Sequence, residues 1–93
     1  MKIDRLFLVR NCPECAVIKA ALSPEAIGRD DFLGKGGQQL FVLTALSNDA
    51  GRELLDRYGL KGNFAPVLMT GEGAVFSDLR LILDHLRQNG MAR

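Results

Sequence analysis

Apolar positions in this chain fall into two rhythms, short unbroken runs and stripes of helical spacing, and the two alternate along the sequence. Leu6, Phe7, Leu8 and Val9 are consecutive, as in a parallel-sheet strand covered on both faces. Asp4 to Val9 therefore reads as a first strand. Leu40 to Leu43, extending to Thr44, repeats the pattern and gives a second, parallel to the first because a helical crossover joins them. Ala65 to Thr70, opened by Ala65-Pro66, gives a third. Ala74-Val75-Phe76 returns antiparallel to it across the Gly71-Glu72-Gly73 turn.

Between the runs the spacing turns helical. Pro13 to about Leu22 carries Ala16, Val17, Ala20 and Ala21 on one side with Lys19 outward, which predicts an amphipathic helix. Ser47, Asn48 and Asp49 offer caps for a second helix through Tyr58. Its inward face is Ala50, Leu54, Leu55 and Tyr58, with Glu53 and Arg57 paired outside and Gly59 at the stop. Ser77 or Asp78 caps a third, whose buried stripe is Leu79, Ile82, Leu83 and Leu86. His85 falls off that stripe and reads as solvated, and Gln88 to Arg93 reads as a fraying end. The order is β-α-β-α-β-β-α, an α/β domain with a four-stranded mixed sheet flanked by helices, one unit over residues 1–93.

Two stretches interrupt the alternation. Ser23-Pro24-Glu25 has the form of a fresh helix cap with proline at the first position, predicting a short extra turn that ends by Gly28. Residues 29–39 hold Gly34, Gly36 and Gly37 around Lys35, but no strand precedes them and the spacing matches no phosphate-binding loop. They read as a flexible surface connection pinned by Phe32 and Leu33.

Composition narrows the function classes. Hydrophobic residues make up 47% and charged residues 25%, an ordinary globular profile. With 12 Lys+Arg against 11 Asp+Glu, a net charge of +1 gives no case for nucleic acid or an anionic membrane as partner. No apolar run is long enough to span a bilayer, and Met1-Lys2-Ile3-Asp4 enters a strand pattern without a leader. The expectation is a cytoplasmic monomer.

The candidate chemistry lies in Arg10-Asn11-Cys12-Pro13-Glu14-Cys15, which holds both cysteines of the chain, after one strand and at the start of a helix. With Cys12 as N-cap, Pro13 sits at the first helical position, where its missing N–H costs nothing. The free N–H groups of the first turn and the helix dipole then favour a thiolate on Cys12. Cys15, one turn in, is the less accessible, resolving thiol. Arg10 and Glu14 tune the pair in opposite senses, Arg10 stabilising a thiolate and Glu14 opposing it, and the acidic neighbour predicts a reducing couple. A four-ligand zinc site lacks partners, since the single histidine is His85. A structural disulfide would close too small a loop to restrain the unfolded chain.

The order of elements, with Cys12-Pro13-Glu14-Cys15 after the first strand and Ala65-Pro66 opening the third, resembles the thioredoxin fold. It is most similar to its small glutaredoxin-like branch, over essentially the whole chain. The resemblance implies a dithiol–disulfide oxidoreductase with Cys12 as nucleophile and Cys15 as resolving cysteine. It also implies a cis bond before Pro66, with the Ala65 backbone facing the dithiol and pairing with an extended substrate. Asp78 matches a γ-glutamyl contact of the family. Departures are present: Glu14 stands where glutaredoxins carry tyrosine, Ala65 where a β-branched residue is usual, and Phe76-Ser77 where a glycine pair would be. The family's basic residue near the first cysteine is matched by Arg10, one residue closer. No bound cofactor is implied. The partners are disulfide-containing proteins, and glutathione and a thioredoxin-reductase-type flavoenzyme stand as alternative reductants. Two other readings stay open, a binding or redox-sensing module without turnover and an iron–sulfur or metal carrier using Cys12.

Overall fold

A computed structural model describes residues 2–22, 32–35 and 38–92. Strand β1, Lys2–Val9, lies at the centre of a mixed sheet, and its apolar run explains why. Leu6 and Leu8 point to one face, Phe7 and Val9 to the other, and all four are buried. A strand apolar on both faces finds its lowest free energy only when both are covered.

Helix α1, Pro13–Ala21, follows β1 directly. Strand β3, Gln38–Ala45, then runs parallel to β1 along its whole length, from Lys2 opposite Gln38 to Val9 opposite Ala45. Helix α2, Asn48–Arg57, leads to β4, Val67–Met69, antiparallel to β1 on its other side. Strand β5, Val75–Phe76, pairs antiparallel with β4, and α3, Leu79–Gln88, is the last helix of the described residues. The four expected strands are all present, and a fifth joins them. Strand β2, Phe32–Lys35, pairs antiparallel with β3, giving the order β2-β3-β1-β4-β5. Part of the expected 29–39 connection is thus a sheet edge, because its backbone groups bond to the free side of β3. The expected turn at Ser23-Pro24-Glu25 and the glycines at 36 and 37 lie outside the described residues.

Two cores sandwich the sheet. On one face α1 and α3 cover Leu6, Leu8, Leu40, Val42 and Leu68 with Cys15, Ile18, Ile82 and Leu86. On the other, α2 brings Leu55 against Phe7 and Val67, and Leu60 closes the edge. Helix α1 therefore buries Cys15 and Ile18, with Leu22 beyond its end; of the face expected, Ala16, Val17 and Ala20 are exposed and Ala21 alone packs against the core. Both sides of this helix are apolar, so periodicity alone does not select one. Leu and Ile remove more surface from water than alanine and win the core.

Helix α2 ends as expected at Gly59, whose φ of 74° accepts the left-handed stop. Gly59 N–H donates to Asp56 O at 3.0 Å and Leu60 N–H to Leu55 O at 2.9 Å. Helix α3 repeats this device: Gly90 N–H donates to Arg87 O at 3.1 Å and Met91 N–H to Leu86 O at 2.8 Å. Met91 is completely buried and Ala92 bridges to Leu22, so the described part of the expected fraying end is packed instead. No helix among the described residues is long and apolar enough to cross a membrane.

Candidate active site

The backbone reverses sharply between β1 and α1. Arg10 N–H donates to Ala45 O at 3.1 Å, and Asn11 takes a φ of 61°, a left-handed conformation that asparagine tolerates better than most residues. The reversal delivers Cys12 in extended geometry as the N-cap of α1 with Pro13 in its first turn. Nothing in the amino-acid pattern singled out Asn11. The signal was there in its residue type, placed next to a strand end and a helix start.

Cys12 Sγ accepts a hydrogen bond from Cys15 N–H at 3.1 Å. A sulfur in the N-cap position thus takes the role a serine oxygen usually plays, at the positive end of the helix dipole. Cys12 is half-buried and Cys15 buried, and both are free thiols. Cys15 Sγ accepts from Val9 N–H at 3.5 Å, which fixes it behind Cys12. Burial pushes the Cys15 thiol up to about 11, helped by its contact with Cys12 and the nearby charge of Glu14 and opposed by the Val9 N–H. The two sulfurs are therefore unlike: one at the surface on a helix terminus, the other held protonated in the core.

Of the expected tuning groups, Glu14 is exposed in the first helical turn. Arg10 is also exposed, and its observed hydrogen bond is made by its backbone. The Ala65-Pro66 peptide bond is cis. Ala65 and Cys12 line a common cleft of about 420 Å³, with Val9, Leu55 and Gly51 of α2 forming apolar wall and Phe64 standing 70% exposed beside it. Asn11, Asn48 and Arg52 supply its polar lining. Gly51 lets α2 approach β1 closely: a Cβ there would come within 2.7 Å of Val9 Cγ2. Phe64, Gly51 and Arg52 are cleft residues that sequence reasoning did not find, because they sit in a helix and a loop whose relation to Cys12 is tertiary.

Asp78 is not part of this cleft. Its Oδ1 accepts from Arg80 N–H at 3.0 Å, so it serves as the cap of α3. Away from the dithiol, His85 is not solvated as expected. Its Nε2 lies 2.9 Å from Oδ2 of buried Asp4, and its ring packs against Phe76 at 5.7 Å between centroids. Among the described residues, no three His, Cys, Asp or Glu side chains converge as a metal site.

The arrangement places one sulfur at a helix terminus in the wall of a cleft and keeps a second thiol buried one helical turn away. Comparison of the chain with protein-family models, with curated proteins and with solved structures finds no match to any of them.

Proposed function

We propose that this chain is a thiol–disulfide oxidoreductase of thioredoxin-like, glutaredoxin-type architecture that reduces disulfides in proteins. The observation that carries the reading is the Cys15 N–H to Cys12 Sγ hydrogen bond at a helix N-terminus, with Cys15 buried directly behind. The sheet order, with the cysteine pair just beyond the C-terminal end of its central strand and Ala65 of the loop before the neighbouring strand lining the same cleft as Cys12, supports it.

In the reaction, the Cys12 thiolate attacks one sulfur of the substrate disulfide. A Cys12–substrate disulfide forms, the substrate S–S bond breaks, and the departing sulfur leaves as a thiolate and takes a proton. Cys15 then loses its proton and attacks Cys12 Sγ, forming the Cys12–Cys15 disulfide and releasing the second substrate thiol. Two electrons pass to the substrate. Regeneration of the dithiol draws them from glutathione or from a thioredoxin-reductase-type flavoenzyme, in a reducing compartment such as the cytoplasm.

Cys12→Ser abolishes disulfide reduction on this reading, whereas Cys15→Ser accumulates covalent substrate complexes released by dithiothreitol. The Cys12–Cys15 midpoint potential separates the reductants. A value near ~−200 to −230 mV with glutathione turnover marks a glutaredoxin, and one near ~−270 mV with flavoenzyme turnover marks a thioredoxin-like reductant. Unchanged activity in both cysteine variants would overturn the reading in favour of a binding module.

A further inference from the structure

We propose that the polar cleft at the N-terminal end of β1, between the β4–β5 turn and the end of α3, binds a guanidinium group. Cys12 lies beyond the opposite end of β1, so this site is separate from the dithiol and stands independently of the oxidoreductase reading.

The cleft holds about 300 Å³ and is walled by Asp4, Thr70, Glu72, Phe76, His85 and Asn89. Acceptors are in excess along it. Asp4 is only 6% exposed yet opens onto the cleft. Gly71 N–H and His85 Nε2 occupy two of the roughly four acceptor positions a carboxylate offers. Asn89 gives its amide nitrogen to His85 O at 2.8 Å, which leaves its carbonyl oxygen for another donor. Glu72 adds a second carboxylate at the exposed rim, and no lysine or arginine is among the described residues that line the cleft. The lining therefore stays net negative whether His85 is neutral or charged. A group that brings positive charge and several donors repays the loss of its water here, and an anion does not.

Shape chooses among cations. The Phe76 and His85 rings, 5.7 Å apart between centroids and inclined at 43°, form one wall. A flat, weakly hydrated guanidinium lies against such rings and spreads its N–H donors over separated acceptors, whereas an ammonium is compact and strongly hydrated. A metal ion lacks ligands, since no three His, Cys, Asp or Glu side chains converge among the described residues. The volume stands at the lower limit of ligand pockets, which suits a head group on a short chain and not a large cofactor. Such a head group arrives either as an arginine side chain of another protein or on a small guanidino compound.

The test is an NMR titration of the full-length protein with ethylguanidinium chloride at constant ionic strength, read at the Gly71 amide and the Asn89 side-chain amide. Saturable shifts are expected at both. Ethylurea, of the same shape without the charge, produces none, and propylammonium binds more weakly. Asp4→Asn weakens ethylguanidinium binding roughly tenfold or more, as loss of a charge-assisted hydrogen bond does. Gln88→Lys, at an exposed position on the cleft, puts a tethered cation into it and abolishes binding without disturbing the core. That variant decides the matter if Asp4→Asn does not fold. Acetyl-Gly-Arg-Gly-amide binding at least as tightly as ethylguanidinium assigns the group to a protein side chain, and weaker binding assigns it to a small guanidino compound. No saturable shift with ethylguanidinium, an equal response to ethylurea, or binding that survives Gln88→Lys would overturn the inference.

Discussion

Asp4 on β1 and His85 on α3 meet at 2.9 Å across 81 positions of sequence, and the same carboxylate accepts Gly71 N–H at 2.8 Å through its other oxygen. One buried side chain therefore ties together the first strand, the β4–β5 turn and the last helix. Asp4→Ala strands two donors in a site the carboxylate leaves only 6% exposed, at roughly 1–3 kcal/mol for each. Asp4→Asn keeps an acceptor for Gly71 and costs less. Urea denaturation orders the variants, wild type above Asn above Ala. On the proposed function the disulfide-reduction rate is unchanged in the folded fraction, because the cluster lies at the opposite end of β1 from Cys12.

Cys15 makes stability and reactivity depend on alkaline pH. Its thiol is raised from 9.0 to about 11, so between those values the folded protein keeps a proton that the unfolded chain has lost. The stabilisation is fully present below pH 9.0 and is lost as pH rises toward 11. Denaturation of the reduced protein across that window shows a stability that falls with pH, and Cys15→Ala flattens the fall. On the proposed dithiol mechanism the same proton slows resolution. Decay of a Cys12 mixed disulfide speeds up as pH rises from about 7 to 9, since attack requires the Cys15 thiolate.

Asn11 holds a backbone conformation that costs an L-residue with a branched Cβ dearly. Its φ of 61° predicts that Asn11→Gly is close to neutral and that Asn11→Val loses roughly 1–2 kcal/mol. The valine variant also shifts Cys12 away from the helix terminus. Iodoacetamide modification of Cys12 at neutral pH slows in Asn11→Val and not in Asn11→Gly.

Gly51 tests how tightly α2 sits on the central strand. A methyl there meets Val9 Cγ2 at 2.7 Å, and the branched valine has little rotamer freedom to yield. Overpacking of roughly 1–3 kcal/mol outweighs the roughly 1 kcal/mol that alanine gains over glycine in a helix. Gly51→Ala is thus destabilised in thermal melts, and its Cys12 cleft is altered. Higher stability in the alanine variant would refute the close contact.

What could be read from the sequence was local. The apolar run Leu6–Val9, the Cys12-Pro13 cap and the Gly59 stop each declare themselves within a few residues, and each stands where expected. The parallel pairing of β1 with β3 followed from one helical crossover. The misreadings were tertiary. His85 breaks the stripe of its own helix, and only the fold brings Asp4 to it. In α1 both sides are apolar, and the side with Ile18 and Leu22 displaces the one with Ala16, Val17 and Ala20 only where it meets α3 and the sheet. Phe32–Lys35 contains a glycine and a lysine, too few apolar positions to declare a strand, yet the free edge of β3 recruits it. Met91 lies past the Gly90 stop and looks expendable until the turn folds it inward. The candidate site divides in the same way: its sulfurs were visible, and its aromatic wall at Phe64 was not.

The central position of β1 also sets a timetable for synthesis. Its two neighbours in the sheet are residues 38–45 and 67–69, so the first strand leaves the ribosome without either partner. At roughly 5–20 residues per second, several seconds pass before β4 arrives. Throughout that interval Cys15 has no core to enter and Cys12 no cleft beside it. The nascent chain therefore exposes two equivalent, oxidisable thiols, and the difference between them is acquired only when the sheet closes.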